Sequence, residues 1–527
     1  MPTLTIDNFG GRLTRFDNGD INSGFAKFDT TYSNDPFRLP GKLTWNETAT
    51  RIDSAGSVIT GAVVAGKVRV ESGLSYLYCV DHLARVYKIQ VNNSTNPSLD
   101  DPVLLATLSS NSPAFTRGGF IDFFGTTERI YIGHDIGVTR LDFDGTNETF
   151  IGVAGSYTAT VPRPLKQFLG NLYFGNGNNI GEILPGATIS TYGKLSPTFP
   201  TNTQVRDLDI APDGSYLEAV VSRLALPSIL TNTQDTTLIA NTESYIFKWN
   251  GTDIGYTSFT SYPSFSLNSN ISFGSNQYIF GYDLTGSSVF TPTQKILSPI
   301  FTEAPLPTSV NSNGNFVAWV VPEFYNGFTR TALYLYGSLD TEVTNGWWRQ
   351  FAQGAQGSQT DVLKVPFSMA VSNFGIGAST NGYTGGVFGR GKVYFSTIEI
   401  AGTTLAYKFY KWNAVSATAG TYGTSVYETQ TQLFSKKIKP SEVRVYTEPL
   451  VASNVFTIDL IGSDGTVITS SSKTFTVGTS PVAVGDELVR YTLAIEPTYA
   501  IGVRVTNTGT TNWVCNKIEI DYEPSGK

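Results

Sequence analysis

The sequence is poor in charged residues. Asp, Glu, Lys and Arg make up 15% of the 527 residues, well below the roughly 25% of an average soluble domain. There are 36 Lys and Arg against 43 Asp and Glu, which gives a net charge of −7. Because a broad nucleic-acid-binding surface needs clustered Lys and Arg, this composition disfavours that class of function.

Cysteine and histidine are almost absent. The two cysteines, Cys79 and Cys515, stand far apart in the sequence, so a disulfide framework is excluded and buried free thiols are expected. The only histidines, His82 and His134, fall in similar turns of neighbouring repeats. We expect them to hydrogen-bond within those turns rather than to act as catalytic bases.

Long apolar runs and helical periodicity are missing as well. No stretch approaches 18 consecutive apolar residues, so no membrane span is expected. Apolar residues do not recur at helical spacing, and the first residues have neither the apolar segment nor the cleavage site of a signal peptide. The chain is therefore expected to be an all-β protein made without an export signal.

Short alternating runs separated by turn residues recur instead. The tyrosines Tyr78, Tyr131, Tyr173 and Tyr278 mark equivalent places in units at 75–91, 129–145, 171–186 and 277–291. Looser copies follow at 332–340 and 392–413. The segment LDIAPDGSYLEAVVS at 208–222 predicts a hairpin, because Pro presets φ and Gly accepts the positive-φ corner.

Counting these units gives six or seven, each roughly 45 to 60 residues long, which suits four-stranded blades with long outer loops. We therefore predict a β-propeller of about six or seven blades at 51–432. Two stacked sandwiches are the alternative. The texture changes afterwards, and several short alternating runs predict a C-terminal β-sandwich at 433–527. Residues 1–50 are predicted to form an extended N-terminal arm.

Two stretches are candidates for ligand sites. Asp142, Asp144, Asn147 and Glu148 form an oxygen-rich turn, but their spacing is not that of an EF-hand, so no metal site is predicted. Trp347 and Trp348 are possible glycan contacts. Adjacent strand residues face opposite sides, so we expect at least one of the two in the core. No catalytic residue and no cofactor is predicted.

Two segments carry a resemblance to a known group. The stretch NFGGRLTRFDNGDINSGFAKFDTTYSNDPFRLPGKLT at 8–44 resembles the N-terminal arms of tailed-bacteriophage structural proteins that contain β-propellers. The matching pieces are Asn8 to Arg12, Asp20 to Phe28 and Phe37 to Leu43. The stretch YETQTQLFSKKIKPSEVRVYTEP at 427–449 resembles the join between propeller and sandwich in the same group.

The resemblance implies a non-enzymatic virion protein of the phage tail, a nozzle, tip or connector ring around the DNA channel. Its implied partners are other virion proteins and further copies in a ring, with DNA passing without specific binding. Synthesis in the host cytoplasm and a place in the virion tail are implied too. The residues expected to dock neighbouring subunits are Asn8, Phe9, Gly10, Gly11, Arg12, Lys436, Lys437 and Lys439.

Two other functions remain open from the sequence. The first is a receptor- or glycan-binding propeller of the tail tip or of a cell surface. The second is a propeller glycosidase, which would need two acids about 5 to 10 Å apart in a cleft. No such pair stands out in the sequence.

Overall fold

We describe the chain from a computed structural model. The residues described are 2–7, 9, 28–32, 34–35, 42–45, 50–51, 59, 61, 63–72, 74–90, 102–115, 119–223, 243–263, 265–273, 276–283, 293–297, 317–325, 328–338, 345–351, 360–363, 392–401, 404–413, 425–429 and 431–525. Within these ranges the regular elements are β-strands, apart from one turn of 3-10 helix at Ala154–Ser156.

Five short strands precede the repeats: β1 Thr3–Ile6, β2 Phe28–Tyr32, β3 Asn34–Asp35, β4 Thr44–Trp45 and β5 Thr50–Arg51. The strands of the first four repeats are β6 Val63–Glu71, β7 Leu74–Asp81, β8 Arg85–Gln90, β9 Val103–Thr107, β10 Phe120–Phe124, β11 Arg129–His134, β12 Gly137–Leu141, β13 Thr149–Phe150, β14 Leu165–Phe168, β15 Asn171–Asn176, β16 Asn179–Ile183, β17 Ile189–Thr191, β18 Gln204–Ile210, β19 Leu217–Ser222, β20 Glu243–Trp249 and β21 Ser258–Pro263.

The later repeats contain β22 Phe265–Phe273, β23 Asn276–Asp283, β24 Thr293–Leu297, β25 Val317–Tyr325, β26 Phe328–Ser338, β27 Asn345–Phe351, β28 Thr360–Leu363, β29 Lys392–Ala401 and β30 Thr404–Asn413. The C-terminal strands are β31 Ser425–Thr429, β32 Gln432–Thr447, β33 Val455–Ile461, β34 Lys473–Thr476, β35 Leu488–Thr492, β36 Thr498–Asn507 and β37 Cys515–Pro524.

The repeats form seven antiparallel sheets within the described part of the chain. Sheets one to six are β6–β9, β10–β13, β14–β17, β18–β21, β22–β24 and β25–β28. The first strand of each of these lies against the first strand of the next, which is how inner strands surround a propeller axis. The all-β fold with a propeller and a following sandwich is thus confirmed, and seven sheets agree with the predicted number.

The seventh sheet is completed from the other end of the repeat region. Its order is β29-β30-β5, and Arg51 and Thr50 pair with Tyr410 and Lys411 of β30. The last repeat sheet is therefore completed by a strand that precedes the first repeat, which covers one strand edge of that sheet.

Apolar side chains fill the spaces between consecutive sheets. One cluster lies between sheets one and two, a second between sheets two and three, and a third between sheets three and four. The predicted hairpin is confirmed between β18 and β19, where the Gly214 N–H donates to the Ala211 carbonyl at 2.8 Å. Gly214 has φ +75°, a conformation that favours glycine.

The C-terminal strands form a two-layer sandwich. One layer contains β37, β32 and β35, and the other contains β31, β36, β33 and β34. β32 pairs with β36 at its start and with β37 further on, so this single strand passes from one layer to the other. Val443, Val445, Ile518 and Ile520 alternate inward and are fully buried.

Strands from the predicted arm belong to this sandwich. β1 pairs with β37, and β2 pairs with β31, so the arm supplies an edge strand to each layer. The segment around β4 is also attached, because Leu43 exchanges backbone hydrogen bonds with Cys515 at 2.9 Å. The repeat sheets thus lie in sequence between the two parts of one sandwich. The boundaries expected at 50/51 and 432/433 stay predictions.

Candidate functional site

Charged side chains meet on the inner strands of the propeller. Lys67 of β6 forms an ion pair with Asp122 of β10, and Lys166 Nζ of β14 lies 2.5 Å from Asp209 Oδ1 of β18. Gln167 Nε2 donates to Asp122 Oδ1 at 3.0 Å. The five residues form one group that crosses from sheet one to sheet four; we call it the axis cluster.

The two acids of the axis cluster are buried while their lysines reach partly into solvent. The Asp122 side chain is 5% exposed and the Asp209 side chain 9%, against 34% for Lys67 and 28% for Lys166. Burial alone would lower the pKa of Lys166, but the nearby Asp209, Asp122 and Asp207 outweigh it and raise that pKa. Lys166 therefore stays charged at neutral pH and neutralises the acids around it.

The three tyrosines singled out by the repeats occupy one register. Each sits in the second strand of its sheet, opposite an axis-cluster residue of the first strand, and the fourth sheet has Glu218 at this place. The cross-strand rows are Lys67–Tyr78–Lys88, Asp122–Tyr131–Arg140, Lys166–Tyr173–Glu182 and Asp209–Glu218–Lys248. Tyr278 lies in the second strand of sheet five, and its side chain is outside the described residues.

Two of these tyrosines bind carboxylates through their hydroxyl groups, whereas Tyr131 is hydrogen-bonded to Arg140. Tyr78 donates to Glu71, and Tyr173 donates to Glu182 Oε1 at 2.9 Å. Burial and the Glu182 carboxylate raise the pKa of Tyr173 to about 12. Each tyrosine ring also packs on the next sheet, as Tyr173 does against Trp249 with ring centres 5.2 Å apart. These tyrosines join sheets and hold acids in place.

The turns between second and third strands bury polar side chains. Asp81 accepts hydrogen bonds from the backbone N–H groups of Leu83 and Arg85, both at 3.0 Å. His134 stands at the corresponding place in sheet two and lies 2.9 Å from Thr139 Oγ1. Burial, with Arg163 nearby, lowers the pKa of His134 to about 3. His134 is therefore neutral at physiological pH, consistent with the expected hydrogen-bonding role in the turn.

Arg163 joins sheets two and three from the loop between them. Its guanidinium donates to Asn176 Oδ1 at 2.7 Å and to the Gly175 carbonyl at 2.9 Å in one sheet. It also donates to the Thr158 carbonyl at 2.6 Å in the loop and to the Asp135 carbonyl at 3.4 Å in a turn of sheet two. Burial lowers its pKa to about 10, so the group remains charged. A side chain at Gly133 would collide with the Arg163 carbonyl, which explains the glycine there.

The oxygen-rich turn after β12 uses its acids within the protein. Asp144 Oδ1 accepts from the Thr146 N–H at 2.9 Å, Asp142 Oδ1 lies 2.6 Å from Arg129 Nε, and Glu148 accepts from the backbone of Ser110 at 2.6 Å. In the described part of the chain, no group of three or more His, Cys, Asp or Glu could hold a metal ion.

The expected docking residues fall into separate places. Phe9 is fully buried in its own chain, where its ring meets Tyr427 edge-on at 5.5 Å and its carbonyl accepts from the Tyr427 hydroxyl at 3.1 Å. Its side chain is therefore already occupied. Asn8, Gly10, Gly11 and Arg12 lie outside the described residues. Lys436, Lys437 and Lys439 are exposed on β32.

The other predicted residues can be located as well. Trp347 and Trp348 lie in β27, paired with Leu363 and Val362, and their side chains are outside the described residues. Cys79 and Cys515 are buried free thiols, as expected. None of the described helical residues forms a segment able to cross a membrane.

The sequence analysis missed the axis cluster and Arg163. The sequence does contain a signal for the cluster. Lys67, Asp122 and Lys166 each lie on the strand before the one that carries a repeat tyrosine, and their charges alternate in sign. Their meeting depends on contact between consecutive repeats, which a search within single repeats does not reveal.

Comparisons with known proteins bear on the fold. No protein-family description matches the sequence, and no curated protein matches it. The structure is similar to the WD40 domain of Neurospora crassa Pan2, at 9% identity and a TM-score of 0.36, covering 71% of this chain and 98% of that one. The β-propeller domain of Myceliophteria thermophila Cps50 (Swd1) gives 9% identity and a TM-score of 0.35 over 68% and 98%. A structure titled glycoside hydrolase has 9% sequence identity and a TM-score of 0.26, and the match covers 90% of this chain and 99% of that one.

These similarities are weak, and the architecture rests on the sheet order of the chain itself. Seven repeat sheets are present, the first strands of sheets one to six lie against one another in order, and a strand from before the repeats completes the seventh sheet. This arrangement defines the class as a β-propeller protein with a terminal β-sandwich.

Proposed function

We propose that the protein is a non-enzymatic structural component of a phage tail, a nozzle, tip or connector ring whose propeller acts as a rigid scaffold. The observation that carries the proposal is that N-terminal strands complete both the last propeller sheet and the sandwich. β5 completes the last propeller sheet, and β1 and β2 are edge strands of the sandwich that follows the propeller. The segments that precede and follow the repeat sheets are thereby joined in the same sandwich.

Rigidity of this kind suits a mechanical role. A scaffold around a channel has to keep its shape under load, and closed sheets with few free edges resist both opening and unwanted pairing. The arm residues expected at a subunit contact are partly used for this internal tying, as the buried Phe9 illustrates. The exposed lysines of β32 remain available for a neighbour.

The state of the described acids supports a non-enzymatic role. Glycoside hydrolysis needs one acid that can give up a proton and a second that stays available for attack or for activating water. In the axis cluster, Asp122 and Asp209 are each bound by a lysine of a neighbouring sheet. Such ion pairs hold neighbouring sheets together and occupy the carboxylates that a glycosidase would need for catalysis.

Location in the particle tests the proposal. Virions of the phage that encodes this chain should contain it, and an antibody against the full chain should label the tail and leave the capsid unlabelled. A stoichiometry equal to the tail symmetry is expected from mass spectrometry. Particles that contain none of the chain would rule the proposal out. Hydrolysis of host glycans by the purified chain, lost on Asp122→Asn, would favour the glycosidase instead.

A further inference from the structure

One exposed segment of the sandwich, at the start of β32 and beside its partner β36, combines lysines with apolar side chains. We call it the lysine edge and define it by Leu433, Lys436, Lys437, Lys439 and Tyr499. Leu433 is 54% exposed and Tyr499 is 55% exposed. None of the three lysines forms an ion pair with a described residue. A group of like charges steers association with a surface of opposite charge and fixes the register of the contact.

The lysine edge is rigid because β32 crosses between the layers there. The pairing of β32 with β36 shifts between Leu433 and Ile438, and pairing with β37 begins at Ile438. The Lys437 carbonyl accepts from the Ser525 N–H at 2.8 Å, and Lys437 Nζ lies 5.5 Å from the centre of the Tyr499 ring. A surface held in place loses little conformational entropy when it binds.

A surface of opposite charge lies on the propeller. We call it the acidic end and define it by Leu169, Asp213, Asp253 and Ile254. Asp213 and Asp253 stand in the two hairpin turns at the same end of sheet four, beyond the row that joins Leu217 to Trp249. Leu169 of sheet three lies against Gly251 in the second of these turns.

The acidic end also exposes apolar side chains next to acids. Hydrogen bonds from Ser215 and, as a smaller cause, the charge of Lys248 lower the pKa of Asp213, while Lys248 Nζ lies 3.3 Å from Glu218. Leu169 is 63% exposed and Ile254 is 73% exposed. Asp213 accepts hydrogen bonds from Ser215, and Asp253 accepts one from Asn250. Neither acid forms an ion pair with a described residue. The turns thus hold both carboxylates at fixed positions facing solvent.

We propose that the lysine edge of one copy docks on the acidic end of a second copy. Each surface offers two exposed apolar side chains and unpaired charges of one sign, and the signs are opposite. The contact joins different surfaces of identical chains, so it is head-to-tail and can propagate around a ring. The inference rests on the proposed function only in taking a ring of copies as the working assembly.

Charge reversal in the full chain tests this contact. Sedimentation velocity at low and high ionic strength would measure self-association of the wild type and of the double variant Lys436→Glu/Lys437→Glu. We expect association that weakens with salt, and about tenfold or greater weakening in the double variant, because like charges across an interface repel. The matched control is Lys473→Glu/Arg490→Glu, which reverses two exposed charges elsewhere on the sandwich and should associate like the wild type.

A second pair of variants tests the other surface. Asp213→Lys/Asp253→Lys should restore association when mixed with the lysine-edge double variant, while each is impaired alone. Should the Lys replacements unfold the turns, Asp213→Asn/Asp253→Asn keeps one amide oxygen as acceptor and should still weaken association. Thermal unfolding curves like the wild type would confirm that folding is intact.

The outcomes separate this inference from the proposed function. A wild type that stays monomeric at every concentration, or association unaffected by both double variants, overturns the docking proposal. Neither result changes whether the chain is found in virion tails. Equal weakening by the Lys473→Glu/Arg490→Glu control would also overturn it, because the effect would then come from net charge.

Discussion

The propeller and the sandwich bury their side chains in different ways. The propeller buries Asp81, His134 and Arg163; the first two are hydrogen-bonded within their own sheets, and Arg163 bonds across sheets two and three. The middle of the sandwich is aromatic, with Trp513 stacked on Phe456 at 4.3 Å and 5.2 Å from Trp45. Polar groups in the sandwich, such as Asn507, lie beside these rings.

The difference follows from how each body is connected. Neighbouring propeller sheets share no backbone ladder, so single backbone contacts, such as the Val205 N–H to the Gly177 carbonyl at 2.8 Å, and side-chain hydrogen bonds add direction to the apolar packing between them. The two sandwich layers are joined directly, because β32 pairs in both. Burial of apolar side chains is then enough to hold the two layers together, because the hydrophobic effect does not depend on the orientation of the groups. Polar contacts therefore act together with apolar clusters between the propeller sheets, whereas aromatic packing dominates the middle of the sandwich.

The largest expected effect comes from the aromatic middle of the sandwich. Trp513→Ala should lower the free energy of unfolding by about 3 to 5 kcal/mol, because it leaves a cavity beside Phe456 and Trp45. Urea unfolding followed by far-UV circular dichroism measures this. Tyr499→Ala, at a site 55% exposed, is the control and should change stability by about 0.5 kcal/mol or less. Similar losses in both variants would contradict the contrast between the two bodies.

A smaller loss is expected from the polar contact between sheets two and three. Arg163→Met keeps the apolar stem but removes the donors that Asn176, Gly175 and Thr158 accept from. We expect a loss of about 2 to 3 kcal/mol, the cost of buried acceptors without partners. Arg490→Met, at an exposed position, should be close to neutral. An unchanged stability in Arg163→Met would mean that apolar packing alone positions these sheets.

The buried imidazole predicts a dependence on pH. The folded pKa of His134 is lowered from 6.5 to about 3, so below pH 6.5 the unfolded chain takes up a proton that the folded chain refuses. The free energy of unfolding therefore falls as the pH drops from 6.5 towards 3, and the part due to His134 is about 2 kcal/mol at pH 5. His134→Gln should flatten the pH profile of unfolding over this range by that amount.

The hydrogen-bond partner supplies the control for the pH experiment. Thr139→Val removes the contact at 2.9 Å but retains the buried imidazole. It should lower stability at every pH and keep the slope. A flattened profile in Thr139→Val, or an unchanged one in His134→Gln, would assign the acid sensitivity to other groups.

The smallest effect is expected from a repeat tyrosine. Tyr173→Phe removes the hydroxyl that donates to Glu182 but leaves Lys194 and Asn171 bound to the same carboxylate. A loss of about 1 kcal/mol follows for one hydrogen bond, measured by urea unfolding. Tyr499→Phe, on the surface, should change nothing. A loss above roughly 2 kcal/mol would indicate that the remaining partners do not hold Glu182 in place.

Much of the strand content could be predicted from the sequence because it depends on local patterns. Alternation and the Pro-Asp-Gly turn place β18 and β19, and the repeat tyrosines Tyr78, Tyr131 and Tyr173 share one register as expected. The pairing of β1 with β37 could not be predicted. A short polar strand carries no local mark of its partner, and register is specified only where one face is buried.

The candidate site shows the same limit. The lysines of β32 could be singled out because they lie in one short segment that carries the resemblance, whereas the residues of the axis cluster and of the acidic end come from different sheets. The fully buried Phe9 illustrates a second limit, since the polar residues around it gave no sign of the internal surface that covers it. Local composition indicates exposure on average and does not identify a tertiary partner.

The pairing of β1 with β37 has a consequence for biosynthesis. Thr3 and Asp521, which are hydrogen-bonded at 2.6 Å, are 518 positions apart. A ribosome therefore releases the first strand long before its partner exists, while the propeller sheets, built from neighbouring hairpins, can assemble in the interval. The waiting strand TLTI has only four residues, and such a short strand limits pairing with a wrong edge. Completion of the sandwich is thus a late event in the maturation of the chain.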